Sequence, residues 1–328
     1  MSDWRYRLAE QRGTLLAIAI FLVMFVIYVS NHPAGFTANV VQTAANKGVL
    51  LALVAMAQTL VVLTAGIDLS VGMVFTLTNC IGSYIVTGSM GTALLGVLGV
   101  LVTGLMCGAL NGLIVIYGRL QPIVTTIATG SIYYGIALWL RPQPGSDDNF
   151  NSDIADLMTS QLPGGIPMSL VALLMVVLVV WLPFRRSAVG RAVYAVGSSE
   201  VAAYMSGVPI RRAKFVAYTL SGLLSAMGGL YVTFITYSGE ASFAGGGSYT
   251  LFSIAAVVLG GVSLFGGVGS AVGAIFGALA FRTIGDLIFV FDLEALWQEL
   301  FQGVVLLLAV CIGAARLFQV RNRLDLFS

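Results

Sequence analysis

The chain has 328 residues, of which 58% are hydrophobic and only 9% are charged, and its formal net charge is +2. A soluble globular protein is about 25% charged, so water cannot be the solvent for most of this surface and a soluble domain is excluded. The composition predicts an integral membrane protein whose apolar helices cross a bilayer.

The N-terminal region is basic and is followed by an apolar stretch from Thr14 to Tyr28. No small-residue cleavage pattern follows it, so we expect a retained first helix and not a removed signal peptide.

Ten apolar segments are candidates for spanning helices, each judged against the roughly 20 residues that a crossing needs. The runs 47–88 and 249–288 are nearly continuous and broken by glycines, and we interpret each as two helices. The sequence thus predicts an all-α bundle forming a single transmembrane domain over residues 1–328. The segments are 14–30, 47–65, 70–88, 91–117, 122–140, 168–184, 213–235, 249–263, 268–288 and 297–315.

The distribution of charge predicts the orientation. With the N-terminus inside and ten crossings, thirteen of the sixteen Lys and Arg residues fall inside, only Lys47 and Arg141 fall outside, and Arg282 lies within a span. Acidic residues collect outside, so the positive-inside rule places both termini in the cytoplasm. An even number of spans is required, and eight or twelve stay open as alternatives.

Two connecting loops are long. The outside loop, about 141–167, is acidic and rich in Pro, Gly, Asn and Ser, and we expect it in the periplasm. The inside loop, about 184–212, is the most basic and least apolar part of the chain.

The first motif, Thr-Ala-Gly-Ile-Asp-Leu-Ser-Val-Gly from Thr64 to Gly72, separates two apolar runs. Gly66 and Gly72 permit a sharp turn, and Asp68 and Ser70 are suited to cap the helix that begins next. An ionisable group at this depth is costly and marks a functional hypothesis. The alternative is that Asp68 only caps a helix at the membrane interface.

The second motif lies in the inside loop. Ser198 or Ser199 can cap a short helix from Glu200 to about Ser206, and Gly207 with Pro209 ends it. We expect an exposed helix, held between two glycine hinges, that docks a partner. The alternative is a basic connector that contacts lipid headgroups.

The third motif is the glycine-rich stretch 260–270. It lacks the Gly-Lys-Ser/Thr ending of a phosphate-binding loop and follows no strand, which argues against nucleotide binding. We expect a tight turn followed by a small-residue helix face at Gly269, Gly273 and Gly277.

These motifs, in this order, resemble the permease subunits of bacterial ABC importers of the ribose/xylose/galactose type, in the branched-chain amino acid/ribose permease superfamily. Thr64–Gly72 is similar to that family's T-G-G-I-D-L-S-V-G signature, with Ala65 where glycine is usual. Residues 255–263 and 266–269 are similar to a further block, and Asn111-Gly112, Arg119, Gln121-Pro122 and Thr125-Thr126 to a weaker one.

The resemblance implies a multi-pass inner-membrane protein that is not an enzyme and holds no cofactor or metal. Its implied partners are a cytoplasmic ABC ATPase, a periplasmic sugar-binding protein and a second permease copy, identical or closely related. The cargo would be a monosaccharide, with polyols, nucleosides and a signalling furanosyl ligand left open. The implied ATPase-coupling residues are Gly190, Arg191, Gly197, Glu200, Ala203, Ser206 and Gly207.

A neutral, hydroxyl-rich cargo needs hydrogen-bonding side chains and aromatic faces along its path through the bundle. The alternative for each such residue is a hydrogen bond between neighbouring helices. The candidates are Gln58, Thr64, Asn79, Asn111, Thr125, Thr126, Tyr133, Tyr134 and Ser253.

Other classes of protein fit less well. A self-contained secondary transporter or channel needs ionisable residues inside the membrane, and only Asp68, Arg282 and Asp286 qualify. Arg282 and Asp286, four residues apart, are expected to pair structurally. Three dispersed cysteines, one histidine and the absence of a nucleophile motif argue against a metal site or a membrane enzyme, and nothing in the sequence indicates binding to nucleic acid.

Overall fold

The computed structural model describes residues 12–241, 245–294, 296–308 and 311. Its helices are α1 (Arg12–Asn31), α2 (Ala38–Val62), α3 (Val71–Ile85), α4 (Met90–Tyr117), α5 (Pro122–Leu140), α6 (Ser152–Thr159), α7 (Met168–Arg186), α8 (Ala188–Ser198), α9 (Glu200–Met205), α10 (Ile210–Thr236), α11 (Gly245–Leu259), α12 (Ala271–Val290) and α13 (Leu296–Leu308). Within α7, Val177–Trp181 widens into a π-helical turn. An antiparallel hairpin pairs β1 (Gln161–Leu162) with β2 (Ile166–Pro167).

Seven of these helices are long and apolar enough to cross a membrane, namely α1, α2, α4, α5, α7, α10 and α12. Each of the ten predicted segments contains one helix, but α3, α11 and the described part of α13 are shorter than the roughly 20 residues of a complete crossing. The prediction of a polytopic helical membrane bundle is confirmed at this level.

Helix α2 lies at the centre of the bundle. Every residue from Gly48 to Val62 is buried, as expected for a helix that is apolar around its whole circumference. Helices α1, α4, α5 and α7 instead present apolar side chains outward, such as Leu95, Trp139 and Val179. They form the part of the bundle that faces lipid.

Glycines set the closest helix crossings. A methyl group added to Gly222 of α10 would lie 2.1 Å from the carbonyl oxygen of Gly104 in α4. One added to Gly277 of α12 would lie 2.1 Å from the carbonyl oxygen of Ala256 in α11, and Gly273 meets Gly260 in the same way. The predicted small-residue face is therefore confirmed at two of its three positions. The third, Gly269, is in the preceding turn with a φ of +127°.

The long loop at 141–167 is fastened across one end of the bundle. The carbonyl oxygen of Thr159, at the end of α6, accepts a hydrogen bond from Asn46 Nδ2 of α2 at 3.2 Å. Asn151 Nδ2 donates to the carbonyl oxygen of Gly88 at 2.8 Å. These contacts hold the loop as a structured cover.

Candidate functional site

The turn after α2 ends that helix with a left-handed residue. The amide of Gly66 donates to the carbonyl of Val61 at 3.3 Å, that of Ala65 donates to Val62 at 2.9 Å, and Ala65 has a φ of 61°. This pattern is a Schellman motif, whose left-handed position strongly favours glycine. Ala65, which departs from the family signature, thus occupies the left-handed backbone position that favours glycine.

The prediction that Gly72 permits a sharp turn is wrong, because Gly72 lies inside the first turn of α3. A methyl group there would lie 1.7 Å from the carbonyl oxygen of Gly246. The Gly72 amide also donates to Thr250 Oγ1 of α11 at 3.1 Å. Gly72 is therefore required where α3 crosses α11. Gly66 does lie in the turn, beside the hydroxyl of Tyr218.

Asp68 is 2% exposed and accepts hydrogen bonds from neutral groups. Its Oδ1 accepts from the amide of Ser70 at 2.9 Å and from the Ser70 hydroxyl at 2.6 Å, and its Oδ2 accepts from Ser221 Oγ at 3.5 Å. Ser70 occupies the N-cap position of α3 but makes no cap bond with its side chain. Of the two predicted caps, only Asp68 binds an amide at the start of the helix.

The bonds continue from Asp68 into α4 and α5. Asn111 Nδ2 donates to Ser70 Oγ at 2.7 Å, and Tyr133 Oη donates to Asn111 Oδ1 at 3.1 Å. Thr126 Oγ1 accepts from the amide of Leu69 at 2.9 Å. We call Asp68, Ser70, Asn111, Thr126 and Tyr133 the turn network. It brings three of the predicted path residues to the signature turn.

Two further path residues are buried with unused hydrogen-bonding capacity. Gln58, near the C-terminal end of α2, is fully buried, and neither atom of its amide has a partner among the described residues. The hydroxyl of Thr125 is also buried without one. Buried polar groups are nearly always bonded, so these atoms are candidates for contact with a ligand.

The remaining path residues do not join the turn network. Asn79 donates to Thr233 Oγ1 at 3.0 Å and accepts from the amide of Glu240 at 2.9 Å, which fastens the segment after α10. Thr64, in the turn after α2, donates to the carbonyl of Val61, Ser253 donates to the carbonyl of Thr250 in its own helix, and Tyr134 is half-buried. For Asn79, Thr64 and Ser253 these bonds agree with the alternative reading of structural polar residues.

The three sequence motifs meet at one point, which we call the glycine junction: Leu63, Ala65, Gly197, Gly266 and Gly267. A methyl group added to Gly197 would lie 1.9 Å from the carbonyl oxygen of Leu63 and 2.5 Å from the amide nitrogen of Gly267. One added to Gly266 would lie 2.7 Å from the amide nitrogen of Ala65. Backbones therefore touch directly where the inside loop meets the turns after α2 and α11.

Helix α8 was missed by the sequence analysis, because its two glycines have low helix propensity. Ser187 caps it, accepting from the amide of Gly190 at 2.9 Å, and a methyl on Gly190 would lie 2.0 Å from the carbonyl oxygen of Phe184. The serine at the start of an amphipathic run was the available signal. The prediction of a glycine hinge before α9 is wrong, because the glycine on that side, Gly197, is buried within the last turn of α8.

Helix α9 matches its prediction closely. Ser199 caps it, accepting from the amide of Ala202 at 3.3 Å, and Gly207, with a φ of 72°, ends it in a Schellman motif. Of the other predicted coupling residues, Ala203 faces inward, whereas Ser206 and Arg191 are exposed. Glu200 accepts from Lys214 Nζ at 2.8 Å.

The outer face of α9 is apolar, which the sequence analysis did not identify. Val201, Tyr204 and Met205 are 75%, 73% and 80% exposed. We call these three residues the α9 face. Adjacent exposed apolar side chains of this kind mark an interaction surface. Over the described residues, no group of three or more His, Cys, Asp or Glu could hold a metal ion.

Comparison with known proteins gives consistent matches. A family model described as branched-chain amino acid transport system / permease component matches residues 40–310. The probable ABC transporter permease protein y4mJ of Sinorhizobium fredii is 36% identical over 318 residues, covering 94% of this chain and 91% of that protein. The ribose import permease protein RbsC of Haemophilus influenzae is 33% identical over 306 residues, with 92% of each chain covered.

The autoinducer 2 import system permease protein LsrC of an Enterobacter species is 32% identical over 316 residues, covering 94% of this chain and 88% of that protein. No solved structure matches this chain significantly. The resemblance drawn from the three motifs is confirmed by these matches.

Proposed function

The chain belongs to the family of branched-chain amino acid transport system permease components, and from this premise we propose that it carries a monosaccharide or similar small polyhydroxylated solute through an ABC importer. It is a multi-pass permease subunit of the inner membrane and not an enzyme. The helix bundle alternates between outward-open and inward-open states, and a partner that hydrolyses ATP drives this change.

The chemistry of the bundle interior supports a neutral, hydrogen-bonding cargo. The buried amide of Gln58 and the hydroxyl of Thr125 offer donors and acceptors without partners among the described residues. The turn network reaches from the turn after α2 to Asn111 of α4 and adds the phenol of Tyr133, in the middle of α5. We propose that the path runs past Gln58, Thr125 and the turn network. Ribose, which the name of one relative specifies, is a cargo of this class.

The charge map supports ten crossings with both termini in the cytoplasm. Arg185, Arg186, Arg211 and Arg212 flank the α8–α9 segment at one end of the bundle, whereas Lys47 and Arg141 belong to the other end. The positive-inside rule then makes the α8–α9 end cytoplasmic and the 141–167 cover periplasmic. In this orientation α3, α11 and α13 complete the count as short spans.

The glycine junction is the observation that carries the coupling proposal. The cytoplasmic ATPase docks on the α9 face, and α9 follows α8 after a single residue. Because Gly197 of α8 touches the backbone at Leu63 and Gly267, a displacement of α9 reaches the end of α2 without an intervening flexible side chain. From Leu63 it continues along the chain to Asp68 and the turn network.

Two further partners complete the assembly. A periplasmic sugar-binding protein delivers cargo to the face covered by residues 141–167. A second permease copy, identical or closely related, supplies the other half of the translocation unit, as the implied importer architecture requires.

Uptake of labelled pentoses and hexoses, in cells with and without the gene, tests the proposal. We expect loss of uptake of one sugar when the gene is deleted. Uptake should persist when the proton gradient is collapsed with ATP maintained, and should stop when ATP is depleted. Sugar uptake that is unchanged by deletion, or that follows the proton gradient, would overturn the proposal in favour of another cargo or a secondary transporter.

A further inference from the structure

Two adjoining cavities lie between α1, α2, α7, α12 and α13, away from the turn network. The first, of about 770 Å³, is lined by His32, Lys47, Arg282, Asp286 and Gln298 among others, and we call it the polar cavity. The second, of about 500 Å³, is lined mainly by apolar side chains such as Phe21, Phe25, Leu173, Leu174, Phe276 and Leu279, and we call it the apolar groove. Arg282 and Asp286 line both cavities, so the two adjoin at these side chains.

The charges at the join are unbalanced. Lys47 Nζ lies 3.7 Å from Asp286 Oδ1, which is the ion pair that forms in place of the expected Arg282–Asp286 bridge. Arg282 Nε is buried and has no hydrogen-bond partner among the described residues. Two cations therefore face one carboxylate, and a guanidinium donor is left unused. Arg282 as a whole is half-buried, and an anion beside its guanidinium would form a charge-assisted hydrogen bond with the unused donor.

The part of the apolar groove below Arg282 has about the length of a lipid chain in one leaflet. The groove's lining on α12 runs from residue 272 to residue 286. The stretch from residue 272 to residue 282 rises about 15 Å, and one leaflet contributes about 15 Å of hydrocarbon. The polar cavity continues along α12 to Phe289, toward the end of that helix. This is the order of environments that a phospholipid meets from its acyl chain to its headgroup.

From this arrangement we infer that the two cavities form one binding site for a glycerophospholipid of the outer leaflet, in the orientation proposed above. The phosphodiester accepts hydrogen bonds from Arg282 and Lys47, and one acyl chain fills the apolar groove. The phosphate supplies the single negative charge that the cavity lacks. A helix from a second copy would fill the groove but would leave Arg282 without an acceptor.

Native mass spectrometry of the full chain, purified in detergent, tests this site. We expect one phospholipid per chain to survive collisional removal of detergent. Arg282→Gln removes the charge-assisted bond and should weaken retention about tenfold. Ala44→Phe, at a half-buried position in the groove, should displace the acyl chain without touching the charges, so the test does not depend on one variant folding.

Matched controls separate this site from general lipid contact. Arg185→Gln, an exposed arginine outside both cavities, and Ala19→Phe, an exposed alanine of α1 outside the groove, should each retain the lipid. Delipidated protein should rebind palmitoyl-oleoyl phosphatidylglycerol but not the corresponding diacylglycerol, which lacks the phosphate.

Three outcomes would overturn the inference: no phospholipid retained by the wild-type chain, retention in both Arg282→Gln and Ala44→Phe equal to that of the wild type, or binding of diacylglycerol as strongly as phosphatidylglycerol. A dimer that carries no lipid and dissociates in Ala44→Phe would instead make the groove a subunit interface. None of these readouts measures transport, so they stand apart from the test of the proposed function.

Discussion

The amide of Gly267 donates a hydrogen bond to the carbonyl oxygen of Leu63 at 3.2 Å, across more than two hundred residues of chain. This bond joins the turn after α2 to the turn after α11, and Gly197 of α8 is wedged against both of its atoms. The contact has no side chain in it. Its geometry can therefore be broken by adding a single methyl group.

Gly197→Ala is expected to disrupt the glycine junction. The new methyl would meet the carbonyl oxygen of Leu63 at 1.9 Å, and neither backbone can move aside cheaply. Overpacking of this kind costs about 1–3 kcal/mol. We expect a lower Tm in detergent and a larger loss of ATP-driven uptake, because α8 no longer holds its place against the turn.

Gly135→Ala is the matched control, because Gly135 is a helical glycine of α5 with no heavy atom within 4 Å of an added methyl. It should leave uptake unchanged and keep or raise Tm, since alanine is favoured over glycine in a helix by roughly 0.5–1 kcal/mol. If Gly197→Ala behaves like Gly135→Ala, the junction does not couple the loop to the bundle.

The α9 face gives a second prediction. Replacing Tyr204 and Met205 together by serine removes exposed apolar surface without disturbing the inward-facing Ala203. We expect normal membrane insertion and Tm, with loss of most of the ATPase recovered by affinity capture of the permease. Desolvated aromatic side chains typically contribute about 2 kcal/mol or more to an interface.

Tyr117→Ser serves as the control for the α9 face, because Tyr117 is also a strongly exposed tyrosine but lies at the end of α4. It should leave ATPase recovery unchanged. Equal recovery from the double variant and the wild type would show that the ATPase docks elsewhere.

The existence of the helices was predictable because a membrane span has a strong compositional signal, and each of the ten apolar segments does contain a helix. The short helix α9 was also predictable, since a capping serine and a terminating glycine bracket it locally. Helix α8 was not, because Gly190 and Gly197 are explained by contacts with Phe184 and Leu63 that only the fold creates.

The candidate site, like the helices, was predictable from sequence only in part. Polarity alone selected Asn79 and Asn111 equally, yet Asn79 fastens the segment after α10 whereas Asn111 joins the turn network. No local pattern distinguishes the two roles, because each depends on a partner in another helix. The role of Gly72 was misassigned for the same reason, since Gly246 is distant in sequence.

Ala65→Gly is predicted to stabilise the protein. Ala65 has a φ of 61° at the left-handed position of a Schellman motif, where an L-residue costs roughly 1–2 kcal/mol. Allowing for the greater freedom of glycine in the unfolded chain, we expect a net gain of about 1 kcal/mol and a modest rise in Tm. Ala19→Gly, inside α1, should lower Tm instead. A fall in Tm for both variants would contradict the assigned turn.

Two substitutions of Asp68 distinguish a structural role of its carboxylate from a direct role in transport. Asp68→Asn keeps an oxygen to accept from Ser70 and places an amide beside the Ser221 hydroxyl, so we expect near-normal Tm and uptake. Asp68→Ala leaves the Ser70 amide and hydroxyl without their acceptor, at a cost of about 1–3 kcal/mol for each buried group. We expect it to lower Tm strongly. Loss of uptake in a stable Asp68→Asn protein would assign the carboxylate a direct role in transport.

Gln58 should show opposite effects on stability and on transport. Both atoms of its buried amide lack partners among the described residues, and an unsatisfied buried polar group costs about 1–3 kcal/mol. Gln58→Leu removes that cost at similar volume, so we expect a raised Tm. It also removes a donor and an acceptor from the proposed path, so uptake of the sugar should fall about tenfold, the effect of a lost hydrogen-bonding contact of about 1.4 kcal/mol.

The control is Gln302→Leu in α13, since the Gln302 amide is likewise buried without a partner in the described part of the chain but lies outside the proposed path. It should raise Tm and leave uptake unchanged. Parallel losses of uptake in both variants would mean that rigidity, and not contact with the cargo, limits transport. Unchanged uptake in Gln58→Leu would remove Gln58 from the path. The paired measurements of Tm and uptake therefore decide whether Gln58 contacts the cargo or can be replaced by leucine without loss of transport.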